Sequence, residues 1–194
     1  MRHLFIPLFA LTALTALTAV AAAPVFGADT YTVDASHSAV LFSVSHLGIS
    51  NTHGRFNDID GTLTWDATDP TKSSINITIK TDSVDSFSEK RDQHLRGADF
   101  FNAKQMPKAT FVSKSFTKID DATFSVTGDL TLVGTTKPVT VNVKKIGEGK
   151  DPWGGYRIGF ETSFSIKRAD YNIKGVPGVG EDVALTFGLE GVKK

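Results

Sequence analysis

The sequence predicts an all-β fold, one domain whose antiparallel strands close into an eight-stranded barrel or pair as a sandwich. Three observations carry this reading: apolar residues recur with a period of two along most of the chain, turn-forming residues separate these runs, and only one short stretch has helical spacing. Val40, Phe42 and Val44 alternate with Leu41, Ser43 and Ser45. Leu63 and Trp65 alternate with threonines, and Ile75, Ile77 and Ile79 with Asn76, Thr78 and Lys80. A run around Ala109 to Phe116 follows, then Phe124, Val126, Leu130 and Leu132, then Val139, Val141 and Val143. Tyr156, Ile158, Phe160, Phe164 and Ile166 form the next strand, and Val183, Leu185, Phe187 and Leu189 the last. That makes about eight strands, each with one apolar face, so one side of the sheet is wet. Closure would remove the exposed edges of so long a sheet and leave an interior wide enough for one ligand.

The linkers fit meander connections: Asp58-Ile59-Asp60-Gly61, Asp69-Pro70, Asp120-Asp121, Gly134 to Pro138, and Asp151 to Gly155. The helical stretch follows Thr81. Ser86 and Glu89 have capping-box spacing, and Gly97 can end the helix after Arg96. On that helix Arg91 and His94 share a face, and Asp92 and Arg96 are spaced to pair. Phe100, Phe101 and Met106 follow, before Pro107. A helix and apolar loop inserted here can cap one end of a barrel.

Of the 194 residues, 21 are basic and 21 acidic, a balance that argues against a nucleic-acid partner. The absence of cysteine excludes disulfides, thiol nucleophiles and cysteine-held metals. Residues 1–27 place Arg2 before an apolar run that ends in small residues, which reads as a secretory signal peptide followed by a domain over 28–194 of net charge −1. A retained membrane anchor is the alternative. Export without disulfides leaves stability to burial alone, which a domain of this length can supply.

Catalytic signatures are missing: no Gly-x-Ser-x-Gly elbow, His-Glu-x-x-His helix, phosphate loop or dinucleotide fingerprint occurs. Asp58 and Asp60, like Asp120 and Asp121, belong to turns. The chain reads as a non-enzyme with no cofactor. His37, His46 and His53 lack the tight spacing of metal motifs, so no metal site is assigned, although ligands brought from distant positions stay open. His37 more naturally satisfies a turn.

Fourteen phenylalanines against three tyrosines and two tryptophans mean that a large apolar space is filled or lined. From period two, the inward series comprises Phe42, Val44 and His46, then Leu63 and Trp65, Ile77 and Ile79, Phe111, Phe160 and Phe164, and Phe187, with Phe100, Phe101 and Met106 contributed by the capping loop. A bulge would flip any of these assignments. Patterning alone does not separate a hollow barrel from a filled one.

Four segments, HSAVLFSVSHLGI, GRFNDIDGTLTWD, RDQHLRGADFFNAKQMPKATFVS and TGDLTLVGTTKPVTV, together resemble the YceI-like family of exported lipocalin-like proteins, in order and spacing from about Tyr31 to the C-terminus. The resemblance implies a lipocalin-like eight-stranded barrel with a helix and loop across one mouth. It also implies periplasmic binding of a polyisoprenoid or another long-chain amphiphile, such as a quinone-type lipid or fatty amide. A linear lipid suits a tube lined by flat rings, since each enclosed methylene is worth about 0.8 kcal/mol. His46 or Arg168 is a candidate for the head group, the Phe100–Pro107 loop for a gate, and a membrane surface for a transient partner. A homodimer is left open. The competing expectation is a stress-related interaction module built on a filled barrel.

Overall fold

Residues 27–194 are described by the structure, a computed structural model; the leader predicted over 1–27 lies, except for Gly27, outside them. Eleven β segments appear: β1 (Asp29–Val33), β2 (Ala39–His46), β3 (Ser50–Phe56), β4 (Ile59–Trp65), β5 (Ser74–Lys80), β6 (Val84–Asp85), β7 (Lys108–Lys118), β8 (Thr123–Leu132), β9 (Thr135–Lys150), β10 (Tyr156–Lys167) and β11 (Val179–Lys193). They form eight barrel strands, because three of those strands are broken in the middle. β1 and β2 lie end to end along β11, β3 and β4 run back beside them, and β5 and β6 do the same beside β4 and β3. The ring then proceeds through β7, β8, β9, β10 and β11 in sequence order and closes through β1 and β2. Each of the eight strands expected from periodicity supplies one barrel strand.

The segments without a periodic signal have a physical reason for lacking one. β3 reads SNTHGRF, and of its inward positions only Phe56 is large and apolar, Thr52 being polar and Gly54 seated under the ring of Phe42. Elsewhere turns are shorter than expected. Gly134 to Pro138 is not a loop: only Val133 and Gly134 turn, both with positive φ, and β9 begins at Thr135. Pro138 therefore sits inside a strand, a placement that suits a strand with a free edge.

The helix, α1 (Glu89–Leu95), corrects the capping reading. Its N-cap is Ser88 rather than Ser86. Ser86 is fully buried and gives its backbone N–H and hydroxyl to the Asp92 carboxylate, while Arg91 donates to the Ser86 hydroxyl at 2.8 Å and to its carbonyl. Asp92 is thus not Arg96's partner; Arg96 donates to the carbonyls of Asp82 and Val84, fastening the helix to the chain before it. Ser86 serves here as the hub of a buried network rather than as a cap.

The end of the barrel away from α1 is packed solid. Tyr31, Leu63, Trp65, Phe124, Val126 and Ile158 are all buried there, with Trp65 edge-on to Phe124 at 5.0 Å and to Phe160 at 5.5 Å. Lys145 keeps the inward parity of Val141 and Val143 and lays its ammonium over the Trp65 ring at 5.2 Å, while Ile146, the extra residue of a β9 bulge opposite Gly159 and Phe160, faces out. Arg157 gathers this end, donating to Asp151 at 2.9 Å, Asp34 at 2.7 Å and Glu190. Ser36, Arg157 and His37 together hold the Asp34 carboxyl well below the usual carboxylate range, and Arg157 lowers that of Asp151. Carboxylates so depressed stabilise the fold above their unfolded pKa of about 3.9 and lose that contribution as pH falls through the folded value. Arg157→Gln is therefore expected to lower the melting temperature throughout neutral pH, with the gap to the parent narrowing below about pH 4 in thermal melts.

Candidate ligand-binding site

The opposite half of the barrel is hollow. A cavity of about 350 Å³ opens at the α1 end and is bounded by inward residues of β2, β3, β5, β7, β8, β10 and β11, by α1, and by the loops at 100–101 and 173–176. Its wall is mostly aliphatic and aromatic. Its polar lining comes from Ser45, His46, Thr52, Arg91, His94 and Arg168; among the described residues none of its walls is acidic. From His46 to Val40, both on the wall, β2 advances six residues, or ~20 Å. The space is a tube.

Each wall position has a local cause. Phe42 can lie flat because Gly54 faces it across the β2–β3 ladder; a Cβ on Gly54 would stand 2.2 Å from the ring's Cζ. Gly54→Ala is thus expected to tip the Phe42 ring into the lumen and to weaken uptake of an apolar fluorescent probe about tenfold or more, at little change in helix or strand signal by circular dichroism. Across the mouth, Phe101 meets Phe56 edge-on at 5.3 Å, and Phe100 packs edge-on to the His94 ring at 4.9 Å. Arg168, buried, donates to the carbonyls of Gly180 at 2.8 Å and Val179 at 3.2 Å and lies 3.4 Å from Glu181. Its guanidinium ties the turn after β10 to the start of β11.

The structure brings Phe42, Val44, His46, Ile79, Phe100, Phe101 and Phe187 together on this cavity. Ile77, Phe111, Phe160 and Phe164 line a smaller space beneath it, on which Phe187 also borders. Leu63 and Trp65 are lower still, in the packed floor. Met106 stands apart from both cavities: it is 37% exposed, and its Sδ and Cε approach Gly134 outside the lumen. Periodicity misses the segment after β10. Ile173 and Val176 close the mouth from a stretch with no period to reveal them, held by a 3-10 turn at Arg168–Tyr171 whose Asn172 cap has left-handed φ.

Asp34, His37 and Glu190 offer ligand atoms within 4.8 Å of one another. Arg157 already bonds both carboxylates, so a cation of the chain's own occupies the charge balance there.

A family model described as YceI-like domain matches residues 31–191, nearly all of the described chain. The chain belongs to the YceI-like family. Protein YceI of Escherichia coli O157:H7 is 46% identical over 177 residues, covering 90% of this chain and 92% of that protein. Among solved structures, Burkholderia cenocepacia BcnA superposes with a TM-score of 0.74 at 28% identity, covering 81% of this chain and 98% of its own. A polyisoprenoid binding domain from Saccharophagus degradans shares the fold, with a TM-score of 0.66 at 19% identity over 84% of this chain and 98% of that one. The closed eight-stranded barrel with one helix across its mouth is thus the fold of this family and of these neighbours.

Proposed function

We propose that this YceI-like protein binds a long-chain amphipathic lipid, a polyisoprenoid, quinone-type lipid or fatty amide, and sequesters or carries it in the periplasm without chemical change. The observation that carries the reading is the open, largely apolar tube with its charged groups confined to one end. Apolar walls reward a hydrocarbon at about 0.8 kcal/mol per enclosed methylene, whereas a polar solute would lose its hydration there without replacement. Arg91, Arg168, His46 and His94 stand where the head group of such a molecule would come to rest. The Saccharophagus neighbour, a polyisoprenoid binding domain by its description, supports the same class of ligand. The leader-like residues 1–27 support export.

Cargo of this kind resides in membranes, and the rim is suited to meeting one. Leu47 and Ile49 at the β2–β3 tip are 60% and 83% exposed, and Phe87 before α1 is 74% exposed. Leu47 and Phe87 both hold positive φ, a conformation that Asn would adopt more cheaply than a bulky apolar residue. Exposed apolar side chains kept at such positions suit transient contact with a lipid surface.

The reading is tested by delipidating the protein and titrating it with a fluorescent apolar probe. One probe per chain, displaced by an all-trans prenyl alcohol, is the expected result. No uptake at any concentration would overturn it.

A further inference from the structure

A second, smaller space lies deeper in the barrel, and a thin layer of side chains parts it from the ligand cavity. Its volume is about 40 Å³, and Leu130 and Phe187 border both spaces. Phe187 stacks on Phe164, the rings 7° from parallel with centroids 5.9 Å apart. Phe111 is kept against the wall by Gly128, where a Cβ would stand 2.5 Å from the ring's Cζ, so this ring does not cross the lumen.

The two stacked rings stand on unequal supports. Phe187 belongs to a stretch of β11 laddered on both sides, opposite Thr162 of β10 and Val40 of β2. Phe164 does not. The β9–β10 ladder runs from Tyr156 and Lys150 only as far as Glu161 and Lys144. Beyond it side chains join β9 to β10 and to the turn that follows β10: Thr162 Oγ1 donates to the Asn142 carbonyl at 2.8 Å, Asn172 Nδ2 of the turn to Thr135 Oγ1 at 2.7 Å, and Lys137 meets Asp170 of the turn at 2.8 Å. Pro138, with no N–H for a ladder, lies on the β9 side of this seam. The stretch of β10 carrying Phe164 can therefore move outward without breaking a backbone bond on that side.

We infer that the Phe164–Phe187 pair is an internal gate onto a subsite for the far end of the ligand's tail, and that it determines the tail length the barrel accepts. This rests on the lipid-binding reading above. The small space is walled mostly by hydrocarbon, Ile75, Ile77, Val141, Val143 and Phe160 among it, with Glu161 and Thr162 of β10 only at its edge, so it suits a tail end rather than a head group. From Phe187 to Leu189, or from Ile77 to Ile75, the layer advances two residues, ~7 Å, which is about five methylenes of extended chain.

The experiment is a length series on the delipidated chain: saturated fatty acids lengthened two carbons at a time, each measured by displacement of the apolar probe. In the parent, affinity is expected to climb with each step and then level off. Phe187→Ala joins the two spaces and is expected to move the levelling point to acids about four to six carbons longer. Val141→Phe fills the small space from the unladdered side of β9 and is expected to lower affinity for the longest acids alone. An unchanged levelling point in folded Phe187→Ala and Val141→Phe would overturn the gate. If Phe187→Ala does not fold, Val141→Phe decides: an earlier levelling point supports the gate, and the parental profile overturns it. A parent that takes up neither the apolar probe nor any acid would overturn the lipid-binding reading itself, and one that takes up the probe but no acid of any length would overturn the gate alone.

Discussion

Leu185→Asp is expected to abolish apolar binding while leaving the barrel folded. Leu185 lies on the wall of the wide cavity and is only partly buried, opposite Phe42 on one side and Phe164 on the other. In the empty protein a carboxylate there faces a space open at the mouth and keeps much of its water. A tail entering the lumen would strip that water from the carboxylate, at a cost of several kcal/mol. Probe affinity should fall at least a hundredfold, with a modest drop in melting temperature. A filled barrel predicts the reverse, because an aspartate packed into a solid core prevents folding. Probe titration together with a thermal melt separates the two cases.

Trp65→Ala is expected to give the largest loss of stability, about 3–5 kcal/mol. The indole is buried, wedged between Phe124 and Phe160 and covered by Lys145, so truncation leaves a void in the one solid part of the interior. That is a large share of the ~5–15 kcal/mol by which such domains are stable. Trp65→Phe should cost much less. The indole Nε1 has no hydrogen-bond partner among the described residues, so replacing it removes an unsatisfied donor along with some packing. Chemical denaturation monitored by circular dichroism reads both variants; equal losses would mean that the void left by the missing ring is not what destabilises the barrel.

How far the sequence revealed this arrangement depended on which residues faced inward. β2, β5, β10 and β11 were legible because large apolar residues alternate with polar ones along them, and Phe42, Val44, Ile77, Ile79, Phe160, Phe164 and Phe187 all face the interior as that period requires. β3 was not, since Thr52 and Gly54 hold inward places and leave Phe56 as the one large apolar residue in the strand. Bulges hid register. In β7 the irregularity between Ser113 and Ser115 shifts the inward face from Phe111 to Phe116, and in β9 the extra residue Ile146 breaks the period after Lys145. The mouth was the least legible part, because Ile173 and Val176 come from an irregular segment and Ser86 is buried through its bonds with Asp92 and Arg91, far from any pattern of period. Hollowness itself has no sequence signature. It arises where rings lie flat over glycines, as Phe42 does on Gly54, and such pairs are distant in the chain or hidden by the pleat.

Whether the hollow half of the barrel carries a long apolar molecule is decided by native mass spectrometry of the protein purified from the cells that make it, followed by denaturing extraction. One co-purifying species of long-chain mass per protein, released on denaturation, is the predicted result. An adduct-free protein that also takes up no added prenyl or fatty chain would contradict it.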